Sequence, residues 1–171
     1  MEVSDRIVIF SKGNLEQIGS PREVYEQPAN EFVARFIGVM NVLECEVRGE
    51  IARLNELEFP SHGTADGQKL RVGFRPYSVQ LSPEVGLFRY KAVLLHTYFL
   101  GIMLRLELEL PSGLIIRSRM TKEEYAALGL NDGMPVSFQI RQYRVLGIDG
   151  GTLAPEVSIA HDLRANLGEG I

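Results

Sequence analysis

From Met40 onward, apolar and polar positions alternate mostly with a period of two, and helical spacing is confined to short stretches. Leu104, Leu106, Leu108 and Leu110 fall on one side of an extended chain while Arg105, Glu107 and Glu109 fall on the other, the pattern of a half-buried strand. Val136, Phe138 and Ile140 alternate with Ser137, Gln139 and Arg141 in the same way, predicting a last strand that reaches Leu146. Further strands are predicted over residues 41–48 and 50–59, joined at Gly49, and over 69–74 after a loop at 63–67. Arg75-Pro76 ends that strand, because proline removes a ladder donor and holds the preceding residue extended, and 79–81 resumes it. Residues 88–99 and 102–110 meet at Leu100-Gly101, and Pro111-Ser112-Gly113 turns the chain into 114–120. A small barrel is the natural way to bury so many short strands.

The first forty residues read differently. An apolar run at 7–10, turn residues at Lys12-Gly13-Asn14 and a second run at 15–18 predict a β-hairpin. Ser20 is a helix N-cap, Pro21 occupies the first helical position and Glu23 completes a capping box, with Pro28 stopping the helix. Asn30 caps a second helix in which Phe32, Val33, Phe36 and Ile37 recur at helical spacing, and Gly38 offers a left-handed stop. Thr121 and Glu124 form another capping box for a short helix ending at Gly129. In the tail, 158–167 has the spacing of an amphipathic helix, with Ile159, Leu163 and Leu167 on one side, although disorder is the alternative.

Composition narrows the function classes. The chain is 45% hydrophobic and 23% charged over 171 residues, enough for one ordinary core plus appendages. Its net charge is −4 with 18 dispersed basic residues, so it lacks the footprint of a nucleic-acid binder. Cys45 is the sole cysteine, which excludes an intrachain disulfide framework and a multi-cysteine zinc site, and its place in a strand reads as core rather than nucleophile. His62, His96 and His161 are far apart without metal-ligand spacing. No apolar run approaches the ~20 residues needed to span a bilayer. No signal peptide is recognisable, so any membrane association comes through partners.

The residues that carry a family resemblance are Ser4, Asp5, Arg6, Ile7, Val8, Gly13, Gln17, Gly19, Ser20, Pro21, Glu23, Val24, Tyr25, Pro28, Asn30, Phe32, Val33, Ala34, Phe36 and Gly38. At this spacing they resemble the end of the ATP-binding subunit of ABC importers. Looser similarity continues through V-G-F-R-P-Y-S-V (72–79), L-x-L-x-L-x-x-G-x-x-I (106–116) and T-K-E-E-Y-A-A-L-G-L-N-D-G-M-P-V (121–136), which look like the C-terminal barrel of sulfate-type importer ATPases. The resemblance implies a division into a remnant of the ATPase domain (1–39), a transport-associated, oligonucleotide-binding-fold (OB-like) β-barrel (40–146) and a flexible or short helical tail (147–171). The fold class is therefore mainly β, an OB-like small barrel preceded by a hairpin and two helices.

The resemblance also implies what such a chain does. It would be a regulatory or dimerising domain of an importer for sulfate or a related oxyanion, pairing as a homodimer, with permease subunits as partners of the parent and a place at the inner face of the cell membrane. ATP and Mg would be cofactors of the full-length parent, not of this chain. The phosphate loop G-x-x-x-x-G-K-S/T, the signature L-S-G-G-Q and the acidic strand before the catalytic histidine do not occur, so this chain alone is not expected to hydrolyse ATP. The alternative is a free-standing protein that binds molybdate, tungstate or sulfate.

An oxyanion site needs N–H and O–H donors in a partly desolvated pocket. Arg75, Ser78, His96 and Thr97 are the candidates, lying near strand ends or turns. Three of them have a plainer reading: an arginine bonding loop carbonyls at 75, a turn hydroxyl at 78 and a satisfied or surface histidine at 96. Arg117, Arg119 and Lys122 would also draw anions, but a solvated strand face is the simpler account. Glu107 and Glu109 alternate with leucines as an exposed face does, and no catalytic constellation is apparent. The apolar faces of the hairpin and the first two helices are expected to pack on the barrel, exchange with a second chain or lose order.

Overall fold

The computed structural model describes residues 5–148 and the backbone of Val157–Ser158. Strands β1 (Ile7–Ser11) and β2 (Asn14–Gly19) pair antiparallel, and α1 (Pro21–Glu26) and α2 (Glu31–Ile37) follow. The capping chemistry is as the sequence predicts. Ser20 accepts from the Glu23 amide while the Glu23 carboxylate accepts from the Ser20 amide, and Asn30 accepts from the Val33 amide at 2.9 Å. Gly38, however, is extended (φ 169°) rather than left-handed, because the chain runs straight on toward the next strand.

Among the described residues eleven more strands and one helix follow. β3 (Asn41–Arg48), β4 (Ile51–Leu54), β5 (Leu57–Pro60) and β6 (Lys69–Phe74) lead through a 3-10 turn, Pro76–Ser78, into β7 (Val79–Ser82). β8 (Tyr90–Leu100), β9 (Met103–Glu109) and β10 (Ile115–Thr121) form a meander, followed by α3 (Lys122–Ala127). β11 (Pro135–Ile140), β12 (Gln142–Ile148) and β13 (Val157–Ser158) are the last described elements. One sheet has the order β10-β9-β8-β11-β7 and the other β13-β12-β6-β3-β4-β5.

Two expected strands each prove to be two. Residues 50–59 form the hairpin β4–β5, whose turn places Asn55 in the left-handed region (φ 52°), a conformation asparagine tolerates better than most residues. The predicted last strand breaks at Arg141, whose amide donates to the Ser78 carbonyl at 2.8 Å while the chain passes from one sheet to the other. The expected helix at 158–167 lies outside the described residues except for Ser158, which pairs with Gln142.

Both sheets contribute to one core. Val72, Phe74, Leu57 and Phe59 from one meet Leu94, Leu104, Leu106, Leu108, Val136 and Phe138 from the other, giving a mainly β, OB-like fold. The leucine row of β9 is buried while its Arg105, Glu107 and Glu109 row faces outward. Asn41 ties the sheets together: its side-chain amide donates to the Arg117 carbonyl and accepts from the Arg117 amide, both at 2.8 Å, reproducing one rung of a ladder between β3 and β10. Gly73 is required by proximity, since a Cβ there would stand 2.4 Å from Leu146 Cδ1 and 2.8 Å from Met40 Sδ. Cys45 lies in this core, and burial pushes its thiol up to about 12, so it is inert at neutral pH.

The N-terminal unit has a small core of its own, Ile9, Val24 and Val33 with Ile7 and Ile37 against it. Its opposite side remains open: Val8, Leu15, Ile18 and Phe10, the last 62% exposed, line one face of the hairpin, and Phe36 is 67% exposed on α2. Of the expected fates of these apolar faces, packing on the barrel is not what the single chain shows. In the single chain they are exposed, while the inner faces, the caps and the joint described next connect the unit to the rest of the chain.

Candidate functional site

The most buried cation in the described structure sits where the N-terminal unit meets the barrel. Arg75 is only 4% exposed. Pro76 holds it extended (φ −74°, ψ 148°) at the end of β6, so its side chain leaves the sheet toward α1 and α2. There Nη2 donates to the Tyr25 carbonyl at 2.9 Å, and Nη1 donates to the carbonyls of Gly38 (3.0 Å), Ala34 (3.1 Å) and Val39 (3.3 Å). The guanidinium carbon lies 4.3 Å from the centre of the Tyr25 ring, a cation–π contact. These carbonyls belong to the last turn of α1, to α2 and to the residues just beyond it, where helical carbonyls lack intrahelical partners and the dipole is negative. Burial lowers the Arg75 pKa, but a guanidinium starts high enough to stay charged.

Two further arginines reinforce the joint. Arg144 on β12 donates from Nη1 to the Glu26 carbonyl at 2.8 Å, and Arg71 on β6 pairs with Glu31 at 3.2 Å. Between α1 and the barrel lies a cleft of about 620 Å³, lined in part by Tyr25, Arg75, Tyr77, Ser78, Tyr143 and Arg144. Its volume suits a small molecule. Both terminal nitrogens of its most buried cation, however, are directed at backbone carbonyls, and only the Arg75 Nε is buried there without a partner. The arrangement is therefore suited to fixing the orientation of two structural units rather than to holding an anion.

The four expected anion-site residues fall in two places. Arg75 and Ser78 both line the cleft; Ser78 is buried in the 3-10 turn, its amide donating to the Arg75 carbonyl at 2.9 Å. His96 and Thr97 lie on β8, outside that lining. His96 is on the outward face opposite Glu107, with its ring 6.2 Å from that of Tyr98. The Thr97 hydroxyl donates to Asp132 Oδ1 at 2.7 Å, which places a carboxylate where an anion would have to sit. Sequence reasoning missed Arg144, the partner of the α1 terminus, and Asn41, the rung between the sheets. Nothing in the spacing signals either, because each acts on backbone more than seventy residues away. Among the described residues no group of three or more His, Cys, Asp or Glu is placed to hold a metal ion, and no helix is long and apolar enough to cross a membrane.

Known proteins resemble this chain over both units. It is 34% identical over 152 residues to the sulfate/thiosulfate import ATP-binding protein CysA of Bordetella pertussis, covering 86% of this chain and 43% of that protein. This chain is homologous to part of ABC importer ATP-binding subunits. The corresponding protein of Nitrosomonas europaea is 33% identical over 148 residues, covering 83% of this chain and 41% of the relative. A spermidine/putrescine import ATP-binding protein, PotA of Mannheimia succiniciproducens, is 41% identical over 91 residues, 47% of this chain and 24% of that protein. The chain thus spans less than half the length of the curated relatives it matches. Among solved structures, the cytoplasmic molybdate-binding protein ModG matches with a TM-score of 0.47 and 19% identity, covering 58% of this chain and 89% of ModG. No family model matches the chain.

Proposed function

We propose that the chain is the C-terminal accessory part of the ATP-binding subunit of an ABC importer for sulfate or a related oxyanion, and that its work is self-association and regulation. In this reading residues 1–39 end the ATPase domain, 40–146 form the accessory barrel and 147–171 are an appendage. ATP and magnesium are bound by the preceding part of the parent. The permease subunits are reached through that part, and the location is the cytoplasmic face of the membrane. This chain by itself does not hydrolyse ATP.

The observation that carries the reading is the Arg75 joint. An accessory domain regulates only if its position is coupled to the catalytic domain, and Arg75, at the end of β6, bonds the barrel to the ends of both helices that precede it. The sulfate assignment is supported by the length of the similarity, since the sulfate/thiosulfate relatives align over 86% and 83% of the chain and the polyamine relative over 47%. Against the free-standing anion binder stands the commitment of the Arg75 terminal nitrogens to carbonyls and of the Thr97 hydroxyl to Asp132.

A chimera tests the proposal: residues 40–146 joined to the ATP-binding domain of Bordetella pertussis CysA. It is expected to restore sulfate uptake in cells lacking that subunit, and the same chimera with Arg75→Ala to lose most of it. Equal uptake with and without the substitution overturns the coupling role. Phosphate release from Mg-ATP by the purified chain overturns the non-catalytic reading, and heat of binding on titration with sulfate or molybdate favours the anion binder.

A further inference from the structure

The outward face of β8, β9 and β10 carries an arrangement of charge that the core does not need. Cross-strand neighbours fall in rows: Leu100, Met103 and Thr121 at the turn end, then Tyr98, Arg105 and Arg119, then His96, Glu107 and Arg117, with Val93, Glu109 and Ile115 at the far end. Only the central row is internally neutralised, by Glu107 and Arg117 at 3.7 Å. Arg105 and Arg119 lie directly opposite each other, a like-charge pair that is unfavourable without an acid, and among the described residues neither has an ion-pair partner. Glu109, on the other side of the central row, likewise has none. Arg105 is already oriented, its guanidinium 4.4 Å from the centre of the Tyr98 ring. Apolar side chains flank the charges at both ends: Leu100 is 54% exposed, Ile115 47% and Val93 40%.

Along β9 the sequence of charge is therefore positive, neutralised, negative, with Arg105 and Glu109 each two residues from Glu107 and so about 7 Å from it. A face with that antisymmetry is complementary to itself. A two-fold axis lying between the facing sheets, across the strands at the Glu107 row, brings β9 onto β9 of a second copy in the reverse direction. Arg105 of each copy then meets Glu109 of the other, with Arg119 one strand to the side of that pair, and Ile115 and Val93 of one copy fall against the Arg119 and Tyr98 positions of the other. An isologous contact requires this kind of self-complementarity. We infer that this face is the surface through which two copies of the chain associate, with Arg105 and Glu109 as reciprocal ion-pair partners. The inference rests on the self-association proposed above and specifies where it happens. An acidic surface of a different protein would satisfy Arg105 and Arg119 but leave Glu109 facing like charge.

Charge exchange tests it in the full chain. By sedimentation velocity, Arg105→Glu and Glu109→Arg are each expected to weaken self-association by at least about tenfold, since each replaces two attractive contacts by two repulsive ones. Mixed in equal amounts, the two variants are expected to associate with each other, because every facing pair is then again of opposite sign. The double variant should also self-associate. Circular dichroism and thermal melts establish that each variant is folded. Wild-type protein that stays monomeric at the highest concentrations overturns the self-association reading itself. A wild-type dimer indifferent to both single changes, or variants that do not recover on mixing, overturns this surface while leaving that reading intact.

Discussion

The barrel and the N-terminal unit are held in opposite ways. In the barrel, β9 buries Leu104, Leu106 and Leu108 completely between two sheets, and stability comes from apolar area removed from water. The N-terminal unit buries Ile9, Val24 and Val33 but leaves Phe10, Phe36 and the outer hairpin face open. What fastens it to the barrel is mostly directional and polar: one buried guanidinium on four carbonyls, a second on the end of α1 and an exposed ion pair, beside a small apolar cluster of Ala34, Met40 and Leu146. A hydrophobic core tolerates some rearrangement, whereas a fork of donors aimed at helix ends fixes an angle.

Substitutions that act on one region and not the other sharpen this contrast. Leu106→Ala removes a wholly buried side chain from the shared core and is expected to cost about 3–4 kcal/mol of global stability, read as a lower urea midpoint with unchanged slope. A loss under about 1 kcal/mol would show that the barrel does not depend on this row. Arg75→Ala leaves several carbonyls at the helix ends without a donor, at about 2–3 kcal/mol. Its effect should be local: amide hydrogen exchange in α1 and α2 accelerates while β8 and β9 keep their protection. Uniform acceleration through the barrel would mean the two regions are one cooperative unit. Arg75→Lys should recover only part of the loss, because an ammonium lacks the planar fork.

Gly73→Ala probes the seam between the regions, where Met40 and Leu146 crowd the glycine, and should cost about 1–3 kcal/mol by forcing those side chains aside. The smallest expected effect is on acidification. His62 Nε2 lies 2.8 Å from the Tyr143 hydroxyl, and desolvation of the ring holds its pKa below the ordinary 6.5. A lowered pKa means that the unfolded chain binds the proton more readily, so the contribution is present above pH 6.5 and is lost as the pH falls through that value toward the folded pKa. A His62→Gln variant, which keeps a hydrogen-bonding side chain but does not titrate there, should show a shallower fall in melting temperature between pH 7 and pH 5. Parallel slopes would remove His62 from the account.

Much of this was legible before any coordinates. The capping boxes at Ser20 and Thr121, the cap at Asn30 and the leucine row of β9 depend on neighbours within a few residues, and local chemistry decides them. The split of residues 50–59 at Asn55 carried a weak turn signal, whereas the break at Arg141 carried none. Among the candidate site residues, Arg75 was picked out by its setting before Pro76, but its partners could not be read because they lie about forty and fifty residues away.

By itself, the sequence determined the mainly β pattern, the hairpin and two helices at the start and the similarity to importer ATP-binding subunits, since periodicity, caps and residue strings are local properties. Only the tertiary structure decided that Arg75 closes on the helix ends, that Asn41 supplies a rung between two sheets, and that Arg105 and Glu109 lie to either side of a neutralised row. Those relations depend on which distant backbone groups and strands are brought together. A one-dimensional pattern states which face a residue is on, but not what that face meets.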